Sequence, residues 1–100
     1  MRTNYYEFNQ HEYYAMVAVT VEDGQNPIEK SYEVYNENVG HDSPEGVKEE
    51  GEATWLSRDE AYAKYKRAVK RYEPDIRDFE LKTRFRAFEN DVVLICGSLT

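Results

Sequence analysis

The sequence predicts a small α+β domain, a mixed sheet carrying two helices in the order β-β-α-β-α-β-β. Three observations predict it. One stretch alternates apolar residues onto two faces, as a strand covered on both sides does. Two other stretches repeat apolar residues at helical spacing behind recognisable caps. The composition, 40% hydrophobic and 14% aromatic over 100 residues, suits a single folded domain spanning residues 1–100.

The elements follow in chain order. Tyr5 to Phe8 reads as a short edge strand, with residues 9–12 as its turn. Residues 13–21 make the clearest strand. Tyr13, Ala15, Val17, Val19 and Val21 fall on one face, and Tyr14, Met16, Ala18 and Thr20 on the other. Asn26 caps a helix, Pro27 suits its first position, and Ile28, Tyr32, Tyr35 and Val39 form its stripe up to Gly40. Residues 41–51 contain Pro44, Gly46 and many charges, and read as a surface loop before a short strand at 52–56.

Ser57-Arg58-Asp59-Glu60 has the pattern of a capping box and opens the strongest helix. Its stripe is Ala61, Tyr62, Tyr65, Ala68, Val69 and Tyr72. The segment 79–87 carries two patterns. Phe79, Leu81, Thr83, Phe85 and Ala87 alternate with Glu80, Lys82, Arg84 and Arg86, which favours a strand. Leu81, Phe85 and Phe88 also share a helical face, so a helix is the alternative. A turn at 89–91 leads to a final strand at 92–96.

Charge is unevenly distributed. The net charge of −7 disfavours broad binding to nucleic acid or anionic membrane. Residues 1–56 hold twelve acids and three bases, whereas residues 57–100 hold eight acids and ten bases. From Ala61 to Tyr72 there are five bases, no acid and three tyrosines. Lys64, Lys66, Arg67, Lys70 and Arg71 are therefore the candidate partner-binding residues, with Arg84 and Arg86 extending the patch if 79–87 is a strand. The alternative is a solvated face that offsets the acidic half.

Other chemistry finds little support. Asp42, Glu45, Glu49, Glu50 and Glu52 lack the spacing of a calcium loop and read as a solvated segment. His11, His41 and Cys96 are too scattered for a zinc site, and Cys96 ends an apolar run as a buried thiol would. There is no nucleophile elbow, phosphate-binding loop or dinucleotide fingerprint. The chain therefore reads as non-catalytic, with no metal or cofactor. A single cysteine suits a reducing compartment. The first ten residues lack a signal peptide's apolar region, and the longest apolar runs fall far short of the ~20 residues a membrane span needs. The expected location is cytoplasmic.

Three segments carry a resemblance: Tyr13-Tyr14-Ala15-Met16-Val17-Ala18-Val19, Asn36-Glu37-Asn38-Val39, and Val92-Val93-Leu94-Ile95-Cys96-Gly97-Ser98-Leu99. The chain resembles the small uncharacterised proteins encoded by phages and integrated mobile elements of Gram-positive bacteria. The resemblance implies a short accessory protein acting inside a host cell by binding something. It transfers no activity and no functional residues. The expected function is thus an accessory or regulatory role through protein–protein contact or self-association, with a homodimer as one form. The alternatives are nucleic-acid binding through the basic helix at 61–72, or an acidic decoy of a nucleic-acid-binding enzyme.

Overall fold

Strand pairing organises the chain around its most apolar segment. The computed structural model describes residues 2–11, 14–40 and 43–95. The elements are β1 (Arg2–Phe8), β2 (Ala15–Val21), α1 (Pro27–Tyr35), a π-helical turn (Asn36–Gly40), α2 (Pro44–Glu50), β3 (Thr54–Leu56), α3 (Arg58–Tyr72), α4 (Asp78–Arg86) and β4 (Asp91–Ile95). The class is mixed α+β, as the sequence predicts. The strands form one antiparallel sheet in the order β3-β1-β2-β4.

β2 is central and covered on both sides, as its two apolar faces require. Ala15, Val17, Val19 and Val21 join Tyr6 and Phe8 beneath Tyr32, Val34 and Tyr35 of α1 and Val47 of α2. Met16 and Ala18 join Tyr5, Leu56, Val93 and Leu94 beneath Ala61, Tyr65 and Ala68 of α3 and Leu81 and Phe85 of α4. The β2–β4 register shifts between Met16 and Val17, and the consecutive Val93 and Leu94 both reach this second cluster. A bulge bends a strand locally and re-aims its side chains.

Several expectations need correction. β1 is not an edge strand: β3 pairs with one side of it and β2 with the other, leaving β3 and β4 at the edges. The predicted loop at 41–51 contains α2. Ser43 Oγ accepts from Gly46 N at 3.1 Å, Pro44 occupies the first turn, and Val47 is fully buried. The signal was a capping serine before a proline, and the surrounding charge obscured it.

The segment falls in α4, so among the described residues four α-helices replace the two expected and the final two-stranded unit loses its first member. Only Leu81 and Phe85 of that alternating set are buried, one helical turn apart, while Phe79, Thr83 and Ala87 are exposed. The alternation was a coincidence of which polar residues lay between. Tyr72, assigned to the buried stripe of α3, is 61% exposed because the helix overruns the sheet contact. Glu12, Tyr13, His41, Asp42 and Cys96 lie outside the described residues.

The caps predicted for α1 and α3 are present. Asn26 Oδ1 accepts from Ile28 N at 3.1 Å. Ser57 Oγ accepts from Glu60 N at 3.1 Å, and Ser57 N donates to Glu60 Oε1 at 3.3 Å. Gly40 has φ +111°, the left-handed conformation that glycine adopts without strain after a helix.

Candidate binding surfaces of the α3–α4 layer

The two-layer cover of the sheet converts a charge asymmetry along the chain into one across the molecule. The segment 22–52, which forms the α1–α2 layer and its flanks, holds ten acids and two bases. The segment 58–89, which forms the α3–α4 layer and its flanks, holds ten bases and seven acids. These layers pack on opposite faces of the sheet, as the two separate core clusters require.

α3 seats Ala61, Tyr65 and Ala68 on the sheet, so helical spacing turns Ala63, Arg67 and Lys70 outward. Ala63, Lys66, Arg67, Lys70 and Arg71 line a shallow depression on that outer face. Four of the five predicted basic residues therefore meet there. Arg67 and Lys70 are exposed and form no ion pair among the described residues. Lys66 Nζ lies 3.3 Å from Asp78 Oδ1, which ties α3 to the start of α4.

Lys64 belongs to a different site. Its Nζ lies 2.6 Å from Oε2 of Glu7, whose side chain is only 8% exposed on β1. Tyr14 Oη donates to the same oxygen at 2.5 Å, and Asn9 Nδ2 donates to Oε1 at 3.4 Å. Burial opposes the charge on Glu7, but the hydrogen bonds from Lys64 and Tyr14, the Lys64 charge and the Asn9 amide outweigh it. The carboxyl is held below its usual range. Burial first, then the hydrogen bond and charge of Glu7, push the Tyr14 hydroxyl well above its usual range.

Glu7, Tyr14, Lys64, Arg67, Ala68 and Arg71 line a cavity of about 220 Å³. Its chemistry is that of a hydrogen-bonded, partly buried ion pair. The sequence signal was a lone carboxylate between buried aromatic residues in a strand, and its partner lies 57 positions away.

The strand reading also misplaced the arginines of α4. Arg84 does not extend the α3 patch: its Nη1 lies 2.8 Å from Glu73 Oε2, closing the α3–α4 hairpin. Hydrogen bonding to Glu73, and then the Glu73 charge, raise the Arg84 guanidinium above its usual range. Arg86 turns instead to a cavity of about 170 Å³ lined by Arg58, Asp59, Tyr62, Lys82, Phe85 and Arg86. Phe85 anchors it from below. Its ring stacks on Tyr5 of β1 at 5.0 Å and meets Tyr62 edge-on at 5.3 Å. Lys82 and Arg86 are one turn apart on α4, a pairing hidden while the segment is read as a strand.

Elsewhere, His11 is buried against Phe8 and Tyr35, and its Nε2–H donates to the Val47 carbonyl at 2.7 Å. It pins α2 to the β1–β2 connection. Glu45, Glu49, Glu50 and Glu52 are all exposed. Among the described residues, no group of three or more His, Cys, Asp or Glu side chains is placed to hold a metal ion. No helix among them is long and apolar enough to cross a membrane. Among the described residues, three large hydrophobic side chains are exposed: Trp55 on the edge strand β3, Tyr72 at the end of α3 and Phe79 at the start of α4.

A family model described as the YosH C-terminal domain matches residues 3–94, nearly all of the sheet and both helical layers. No curated protein and no solved structure matches the chain.

Proposed function

This chain belongs to the YosH C-terminal domain family, and on that premise we propose that it is a non-catalytic accessory or regulatory module that docks on an acidic protein partner through the outer face of α3. The observation that carries the reading is the convergence of Lys66, Arg67, Lys70 and Arg71 on one exposed depression, with Arg67 and Lys70 unpaired among the described residues. Complementary charge speeds encounter and selects partners. Tyr72 and Phe79, about 60% exposed at that end of the α3–α4 hairpin, add the aromatic surface that interface hot spots favour. The net charge of −7 opposes broad binding to nucleic acid, so the contact is a local one at α3. The likeness to accessory proteins of phages and mobile elements supports a partner inside a bacterial host. The opposed charge of the two layers supports self-association as one form of the contact.

The test compares the wild-type chain with Arg67→Glu/Lys70→Glu. The captured partner is identified by mass spectrometry after nuclease treatment, and the purified pair is then titrated at two salt concentrations. The expected result is an acidic protein, or a second copy of this chain, bound by the wild type, weakened by salt and lost in the variant. Equal binding by both chains overturns the reading. Binding that vanishes with nuclease and returns with added DNA or RNA replaces it with the nucleic-acid alternative.

A further inference from the structure

We propose that the cavity between the first turns of α3 and the C-terminal half of α4 binds a small phosphate-bearing anion. Three cations line it, Arg58, Lys82 and Arg86, against one acid, Asp59. None of the three forms an ion pair among the described residues. The contrast with their neighbours is direct. Lys64, Lys66 and Arg84, on the same two helices, each have a carboxylate within 3.3 Å. Lys82 and Arg86 are like charges one helical turn apart, an arrangement that repels without an anion between them.

A second observation is independent of charge. The hydroxyl of Tyr62, a residue that lines the same cavity, is buried and has no hydrogen-bond partner among the described residues. Buried polar atoms almost always have a partner, and an unsatisfied one calls for an explanation. An oxyanion answers the first observation directly: its oxygens would accept from the guanidinium forks of Arg58 and Arg86 and from the Lys82 ammonium. The Tyr62 hydroxyl is closed to solvent, so it would reach the anion only by turning into the cavity on binding. A volume of about 170 Å³ suits a phosphoryl group and the first atoms attached to it, not a polymer. The site is separate from the proposed docking face. No residue lines both, and their nearest α3 cations, Arg58 and Lys66, stand eight residues apart, roughly 12 Å along the helix.

The test titrates inorganic phosphate into the wild-type chain at constant ionic strength and follows amide and aromatic NMR shifts. O-phosphoserine and a nucleoside monophosphate serve as further arms, and the tighter of the two identifies the source of the phosphate. The expected result is saturable binding, with shifts confined to residues 58–62 and 82–86. Lys82→Gln/Arg86→Gln weakens it at least tenfold, and Tyr62→Phe weakens it several-fold. Arg67→Gln/Lys70→Gln leaves it unchanged. Shifts that rise linearly without saturation, that centre on residues 63–71, or that persist in Lys82→Gln/Arg86→Gln overturn the proposal. Lys82 and Arg86 are exposed and form no ion pair among the described residues, so their replacement spares the core. If that variant loses its fold by circular dichroism, the wild-type shift map alone decides.

Discussion

Replacing Lys64 with Met removes the charge that faces Glu7 while keeping much of the aliphatic stem. Breaking a buried ion pair from one side costs 3–5 kcal/mol, because the remaining charge stays uncompensated. Lys64 is 37% exposed, so water already screens part of the interaction, and Tyr14 and Asn9 still donate to the carboxylate. The expected cost at pH 7 is therefore about 2 kcal/mol, read by urea unfolding, or a fall in Tm of about 10 °C for a domain of this size.

The pH dependence is the sharper assay. Glu7 has a lowered pKa in the folded wild type. Its stabilisation is present above the unfolded pKa and is lost as pH falls through the folded one. Without Lys64, burial is the largest influence left on Glu7, so the variant takes up its proton at higher pH and is relieved by it. The difference between the two proteins should narrow from about 2 kcal/mol at pH 7 to under about 1 kcal/mol near pH 4. Glu7→Gln in the Lys64→Met background should recover much of the loss. A gap that stays constant from pH 7 to pH 4 would refute the claim that an uncompensated Glu7 charge is the cause.

Two further outcomes follow from the packing. Phe85→Ala removes a ring in contact with Tyr5, Tyr62 and Tyr65 and should cost about 3–5 kcal/mol in urea unfolding, whereas Phe79→Ala should cost under about 0.5 kcal/mol. Comparable losses at both positions would restore the strand reading of 79–87. Tyr62→Phe deletes a buried hydroxyl that has no partner among the described residues, so stability in phosphate-free buffer should hold or rise by up to about 1 kcal/mol, and a loss of that size would show that the hydroxyl already has one.

Legibility in the sequence depended on how local each signal was. β2, the caps of α1 and α3 and the α3 stripe up to Val69 are set by neighbours within a turn or a few pleats and were readable, whereas Tyr72 was wrongly placed in that stripe. The place of β1 was not, because strand order depends on which segments return to it. β3 returns after about fifty residues, and nothing local in β1 marks that pairing. α4 failed for a different reason. In a nine-residue helix with two buried positions, Leu81 and Phe85, either period accommodates both, and the exposed Phe79 tipped the count towards two. The candidate site was legible as a composition of cations and not as an arrangement. Four of five basic residues share a surface, but the acids that neutralise Lys64, Lys66 and Arg84 come from β1, from the start of α4 and from the hairpin loop.

That distribution of partners bears on function. Eight of the nine cations of α3 and α4 fall into two kinds. Lys64, Lys66 and Arg84 are matched to carboxylates that join the helices to the sheet or to each other, and their charge serves the fold. Arg67 and Lys70 on the outer face of α3, and Arg58, Lys82 and Arg86 around the Tyr62 cavity, have no ion-pair partner among the described residues. Acids were available, since the layer holds seven across residues 58–89 and the opposite layer ten across residues 22–52. A surface that needed only solubility would intersperse its signs. Here five cations without an ion pair among the described residues collect at two concave surfaces of one layer, while the excess acid lies beyond the sheet. The shallow, open surface suits a macromolecular face, and the smaller one, with an aromatic floor and an unsatisfied hydroxyl, suits a compact anion. Neutralising either pair, Arg67 with Lys70 or Lys82 with Arg86, should therefore remove one kind of binding and leave the fold and the other kind intact.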